Sequence, residues 1–183
     1  MDLRFLSGNE YKIREVQSIL TTAGAHVVPV DRKVHELQTQ DVNELVKDKI
    51  LKAFEIVGRP VFVEHTGLHL AGLNGFPAGL TQVFWDTLNA DLFVTLVKGL
   101  SSRKVVARTT IGYCDGRRLH FFNGEISGTV PDAPAGMRDF QWDCVFVPSG
   151  YDVTFAEMGD AKNNISMRRV ALDKFAAFLG SST

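Results

Sequence analysis

Ser7-Gly8-Asn9, followed by Lys12, is the first group in the chain whose residue types and spacing suit an anion. A glycine at a strand-to-helix turn lets backbone N–H groups approach a phosphate. The helix N-terminus adds a favourable dipole, and a lysine one turn in adds charge. Taken alone, the segment is equally an ordinary turn with a solvated lysine. Glu36, Glu44 and the pair Glu64-His65 form a second group. Carboxylates at strand ends and helix starts suit Mg²⁺, a hard cation that bridges substrate phosphates. Singly, Glu44 reads as a helix cap and Glu36 as a surface acid. The third group is Phe140-Gln141-Trp142-Asp143, where aromatic faces and an acid would stack a purine and bond its edge, or would pack in a core. The fourth is Lys162-Asn163-Asn164-Ile165-Ser166-Met167-Arg168-Arg169 at the start of the last helix. Basic residues there oppose the helix dipole. That mild cost points to a use for them, in neutralising phosphate or donating to a base carbonyl.

These groups need elements to position them. Asp2 to Leu6 reads as a short strand, and Ile13, Val16, Ile19 and Leu20 fall at helical spacing within Glu10 to Leu20. Ala25 to Val30 is a second strand. Asp41 caps a helix, with Glu44 three residues on as in a capping box, and that helix stops near Gly58. Val61-Phe62-Val63 is a continuous apolar run of the type buried on both faces, ending at Glu64-His65-Thr66-Gly67. Leu73 to Gly79 is rich in turn residues, and Ala90 to Leu100 reads as a helix. Val105 to Tyr113 and Leu119 to Val130 read as strands joined by an Asp115-Gly116 hairpin turn. Cys144 to Val147 is expected as another strand, and the last helix runs from about Asn163 to Leu179. Strand–helix units flanking a central hairpin predict an α/β fold.

Composition sets the outer limits. The 183 residues suit one domain, and 45% hydrophobic with 22% charged residues is ordinary for a globular protein. A formal net charge of -1 gives no global basic field for a nucleic-acid polymer, so an anionic substrate needs a local basic pocket. Cys114 and Cys144 form no CxxC pair and read as buried free thiols, which predicts a reducing, cytoplasmic setting. No apolar run is long enough to span a bilayer, and the N-terminus lacks the apolar stretch of a signal peptide.

Each group is weak alone, but their order along the chain resembles the Ham1-like nucleoside-triphosphate pyrophosphatases. Leu6-Ser7-Gly8-Asn9-x-x-Lys12-x-x-Glu15-Val16 resembles the family's opening TGNxxKxxE, and His35-Glu36-Leu37-Gln38 its PEIQ. Val63-Glu64-His65-Thr66-Gly67-Leu68 is similar to VEDTGL, and Leu73-Asn74-Gly75-Phe76-Pro77-Ala78-Gly79 to LNGFPG. Phe140 to Asp143 resembles FGWD, Lys162 to Arg168 resembles KNxISHR, and Gly150 to Met158 fits GYxxTxAEM. The resemblance implies an elongated mixed sheet flanked by helices, with two lobes around a central cleft. It implies cleavage of ITP, dITP or XTP to the monophosphate and pyrophosphate, with Mg²⁺ or Mn²⁺, in a homodimer. By motif, Ser7, Gly8, Asn9, Lys12 and Lys49 would hold phosphates, and Thr66 would contact substrate. Glu36, His65 and Glu44 would bind metal, and Glu36, His65 and Lys12 would carry the chemistry. Phe140, Trp142 and Asp143 would frame the base, and Lys162, Met167 and Arg168 would contact substrate. Arg168 would donate to the 6-oxo group, which suits hypoxanthine and xanthine and not adenine's amino group.

Three positions depart from the pattern. His65 stands where the family has a metal-binding Asp, Gln141 where it has Gly, and Met167 where it has His. Imidazole is a softer ligand, poor for Mg²⁺ and better for Mn²⁺, Zn²⁺ or Ni²⁺. Adjacent strand residues point to opposite faces, so Glu64 does not simply replace position 65. The expectations are therefore a pyrophosphatase, a pyrophosphatase of shifted substrate or metal preference, or a catalytically weak nucleotide-binding homologue.

Overall fold

The computed structural model describes residues 2–181. One six-stranded sheet runs through the molecule. Its strands are β1 (Asp2–Leu6), β2 (His26–Val30), β3 (Val61–Leu70), β4 (Lys104–Cys114), β5 (Leu119–Thr129) and β6 (Val147–Pro148), in the order β2-β1-β3-β4-β5-β6. β1 is parallel to β2 and β3, and the remaining pairs are antiparallel. The helices are α1 (Glu10–Thr22), α2 (Val42–Val57), α3 (Thr81–Lys98), the one-turn α4 (Phe155–Met158) and α5 (Met167–Ser181). None is long and apolar enough to cross a membrane.

Local chemistry sets the element ends. The Asn9 side chain accepts from the Lys12 N–H and caps α1. Asp41 accepts from the Asn43 and Glu44 N–H groups to cap α2, which stops at Gly58 in the left-handed conformation at φ 63°. The reciprocal half of the expected capping box is absent. The Asp41 N–H is taken by Thr39 Oγ1, and the Thr39 hydroxyl donates to Glu44.

Packing splits at the sheet. On one face, Phe5 stacks on Phe62 at 4.7 Å, and both meet α1 and Phe175 of α5. On the other, Leu45, Val46 and Ile50 of α2 cover Val61 and Val63. The apolar run at Val61 is thus buried on both faces, as its composition predicts. A third core at the far end joins Leu68 and Leu70 to Phe93, Val97, Phe146 and Phe155.

Four boundaries differ from expectation. β3 runs on to Leu70, because β4 continues to pair with it through Val105. Gly67 lies inside this strand because the Ala78 carbonyl occupies the space of a side chain. α3 begins at Thr81, with a kink at Asn89 (φ 55°) before the limb expected from Ala90. Cys144 to Val145 belongs to a 3₁₀ turn over Gln141–Val145, and only Val147–Pro148 is strand. A short apolar run is ambiguous by periodicity alone. Lys162 to Asn164 likewise ends a 3₁₀ turn, and α5 starts at Met167 after Ser166, whose hydroxyl accepts from the Arg169 N–H.

α5 crosses β5 where Gly124 leaves no room for a side chain. A Cβ there would lie 2.5 Å from the Ala171 nitrogen and 3.0 Å from Val170 Cβ, against backbone that cannot swing aside. Gly124→Ala is expected to lower stability by about 1–3 kcal/mol, the range for overpacking, in urea unfolding. A neutral effect would show that α5 is not held this closely.

Candidate active site

The cleft lies at the topological switch point of the sheet. From β1 the chain goes through α1 to β2 on one side, then through α2 on the opposite face to β3 on the other side. β1 pairs with β3 only where Arg4 and Phe5 lie opposite Val61 and Phe62, so the edge of β3 beyond Phe62 is uncovered by β1. Such crevices beyond strand carboxyl ends are where open α/β sheets place ligands. Here the crevice is a cavity of about 490 Å³. Ser7, Gly8 and Asn9 form its rim at the start of α1, and Glu64, His65 and Thr66 line it from the bare strand edge. The Ser7 hydroxyl accepts from the Asn9 N–H, which shapes the turn.

Charge is concentrated in this cleft. Lys12, Arg32, Lys33 and Lys49 line it against only two carboxylates, Glu36 and Glu64. A chain of net charge -1 thus carries a local basic pocket. Lys49 pairs with Glu36 and donates to the Glu64 backbone carbonyl at 3.1 Å, capturing an acceptor on the bare edge of β3. Burial favours the neutral form of Glu36, but Lys49 overrides it and holds the carboxyl below its ordinary range. His65 is 5% exposed. Burial pushes its imidazole down to about 4, with Lys12 and Lys49 alongside, so the ring is neutral at pH 7. Its Nε2 has no hydrogen-bond partner among the described residues.

Beneath the floor lies a chain of alternating charges. Lys12 sits 3.2 Å from Glu64, and Arg168 Nε donates to Glu64 at 2.6 Å. Arg168 also pairs with Glu15, Glu15 with Lys162 at 2.6 Å, and Lys162 with Asp143. Arg168 is only 2% exposed. Burial opposes the Glu64 charge, but Arg168 and then Lys12 outweigh it, so the carboxyl stays well below the usual range. The balance reverses at Asp143. Burial raises its carboxyl to about 6 in spite of Lys162.

A second cavity, about 640 Å³, shares two walls with the cleft. α1 gives Lys12 to the cleft and Tyr11 and Glu15 to this cavity. The 140–143 segment gives Gln141 and Trp142 to the cleft, and Phe140 and Asp143 to this cavity. The Lys162 ammonium lies 4.3 Å over the Phe140 ring, and Tyr11 meets the same ring at 5.2 Å. Gln141 holds φ 44°, a left-handed conformation that favours glycine, and its amide donates to Gln82 of α3 across the cleft.

The structure therefore gathers Ser7, Gly8, Asn9, Lys12, Glu36, Lys49, His65, Thr66 and Trp142 at the cleft, and Phe140, Asp143 and Lys162 at the adjoining cavity. Three expected residues lie elsewhere. Glu44 is exposed on the first turn of α2, bonded to Thr39, because its place is set by the helix cap. Met167 is 3% exposed and packs in the far core. Arg168 lines neither cavity, since its guanidinium is spent on Glu15, Glu64 and Thr66. It holds the acids in place from below, and a contact with the 6-oxo group has no support in this geometry. Conversely, Arg32, Lys33, Tyr11 and Gln82 were not singled out in the sequence. Arg32-Lys33 was visible as a basic pair just after a strand.

Residues 3–178 match the Ham1 family. The chain is 37% identical over 178 residues to a dITP/XTP pyrophosphatase of Methanopyrus kandleri, covering 96% of this chain and 95% of that protein. It is 35% identical over 182 residues to an inosine triphosphate pyrophosphatase of Yarrowia lipolytica, covering 98% and 96%. A solved HAM1 protein from Coxiella burnetii shares the fold, with a TM-score of 0.83 at 21% identity and 99% coverage of each chain.

Two outcomes test the charge chain. Arg168→Met leaves two buried carboxylates, Glu15 and Glu64, with one lysine each and is expected to cost about 3–5 kcal/mol in urea unfolding; a loss within experimental error would contradict this role. Asp143 is protonated up to about pH 6 when folded and ionises at its ordinary value of 3.8 when unfolded. Between those values the folded state binds more protons, so this group's contribution to stability falls as pH rises and is flat above about 6. The stability of the wild type relative to Asp143→Asn should fall by up to about 3 kcal/mol across that window. Parallel pH profiles would refute the assignment.

Proposed function

This chain belongs to the Ham1 family, and on that footing we propose that it hydrolyses non-canonical purine nucleoside triphosphates, ITP, dITP and XTP, to the monophosphate and pyrophosphate. The observation that carries the reading is the basic cleft sharing its walls with an aromatic cavity. A polyphosphate tail fits the first and a purine the second.

In this reading the N-terminus of α1 and its Ser7–Asn9 turn receive a phosphate, and Lys12, Arg32, Lys33 and Lys49 neutralise the tail. Lys12 and Lys49 keep their carboxylate partners and turn their remaining N–H donors to phosphoryl oxygens. Of the two cleft acids, Glu36 is the one that solvent reaches, with a side chain 34% exposed against 1% for Glu64. Glu36 therefore takes the proton of the attacking water, while Glu64 stays ionised beneath it. Cleavage between the α- and β-phosphates leaves the pyrophosphate on the lysine side of the cleft. Phe140 and Tyr11 offer faces for the purine, and Lys162, a pure donor, suits the 6-oxo group of hypoxanthine and xanthine and not the amino group of adenine.

A divalent cation belongs to this proposal. Among the described residues no three His, Cys, Asp or Glu side chains are grouped to hold one. Glu36 and His65, which both line the cleft, would hold such a cation from the protein side. When bound it would neutralise phosphoryl charge. We also propose a cytoplasmic enzyme, supported by two buried free thiols, and a homodimer, supported by the exposed Val83, Leu92 and Leu96 of α3.

Pyrophosphate release over a nucleotide panel tests the reading. ITP or XTP should exceed ATP in kcat/KM by roughly 10- to 100-fold, the cost of about 1–3 kcal/mol for a mismatched buried polar group. Lys12→Ala should weaken triphosphate binding more than monophosphate binding. No release from any nucleotide with Mg²⁺ or Mn²⁺, while calorimetry still shows binding, would replace the hydrolase with a nucleotide-binding protein.

A further inference from the structure

We infer that His65 is a direct nitrogen ligand in the cleft and turns its cation preference away from Mg²⁺ toward ions that accept imidazole, Mn²⁺ first among them. The inference deepens the hydrolase reading and rests on it for the presence of a polyphosphate.

The argument is one of uncommitted donors. The cleft is lined by two carboxylates, and both are already paired with cations of the protein itself. Glu36 carries Lys49, and Glu64 carries Arg168 and Lys12. Mg²⁺ requires hard oxygen donors in a near-ideal octahedron and gives up water reluctantly. Here each acid's charge is shared before any metal arrives, and Glu64 is buried at 2% exposure on the far side of β3 from His65. His65 is the opposite case. It lies on the α2 side of β3, next to Lys49 and Glu36, as a cleft-lining ring that is nine-tenths buried. It makes no salt bridge, and Nε2 lacks a hydrogen-bond partner among the described residues. A buried imidazole nitrogen left without a partner costs free energy until something engages it. A cation shared with the phosphates would engage the ring through a nitrogen that no cation of the protein already pairs.

Nitrogen donation discriminates between metals. Imidazole suits the first-row transition ions, whereas carboxylate, carbonyl and water suit Mg²⁺. Among the transition ions Mn²⁺ stays closest to Mg²⁺ in its taste for oxygen. It can therefore hold phosphate oxygens and one imidazole together.

The test reads the metal directly. Mn²⁺ is added to the wild-type protein, alone and with the α,β-methylene analogue of ITP, and pulsed electron paramagnetic resonance is recorded. A ¹⁴N coupling from one bound imidazole is expected, and it should vanish in His65→Gln. Calorimetric affinities for Mn²⁺ and Mg²⁺ in the presence of the analogue should converge in His65→Asp, with the Mn²⁺ advantage falling about tenfold, or about 1.4 kcal/mol. Mn²⁺ bound without nitrogen coupling in the wild type overturns the inference by itself, whether or not the variants fold. So does an unchanged Mn²⁺-to-Mg²⁺ ratio in a folded His65→Asp. Pyrophosphate release without nitrogen coupling would leave the hydrolase standing and remove His65 from the metal. Nitrogen coupling with no nucleotide cleaved would do the reverse.

Discussion

The site depends on one buried interaction, the guanidinium of Arg168 gripping Glu15 and Glu64 at once. Glu15 comes from α1, Glu64 from β3 and Arg168 from α5, so three elements far apart in the chain are locked by one planar cation. The fork geometry of arginine suits this task, and a lysine would satisfy it less completely. Buried ion pairs often contribute little net stability against an apolar replacement. Their value here is registry. They fix α1 against the bare edge of β3, and that junction is the wall of the cleft.

From this anchor the charges alternate outward. Glu64 passes to Lys12, and Glu15 passes to Lys162 and then Asp143. One end of the chain lies at the basic cleft and the other at the aromatic cavity. Each lysine is thereby held in place before any ligand arrives, which limits the reorganisation needed on binding. The cost is desolvation, and it shows at Asp143, whose carboxyl rises to about 6 because one lysine does not offset its burial.

The backbone supplies the opening. β1 ends at Leu6 while β3 runs on to Leu70, so the strand edge that would otherwise be paired faces the cleft. Lys49 takes one freed carbonyl there. The Gln141–Gln82 hydrogen bond then joins the 140–143 segment to α3 over the same opening. A glycine at 141 would adopt the left-handed backbone without strain but would lose that bond, so glutamine here exchanges backbone ease for a tie across the cleft.

Much of this was legible in the residues alone. The apolar run Val61-Phe62-Val63, the Asn9 and Asp41 caps and the Asp115-Gly116 turn are local signals, and short-range sterics and hydrogen bonds act within a few residues. The ordered motifs likewise picked out Ser7, Lys12, Glu36, His65, Asp143 and Lys162, because residue type limits the chemistry a position can do. The extension of β3 through Gly67, the kink in α3 and the 3₁₀ turn at Gln141–Val145 depend on partners tens of residues away. Above all, the role of Arg168 was decided by tertiary structure. Its sequence neighbours present it as a solvated cation ready for substrate, but burial between Glu15 and Glu64 satisfies its donors from two other elements. A side chain's type is written in the chain, whereas which charges it meets, and how dry that meeting is, exists only after the sheet and helices have closed around it.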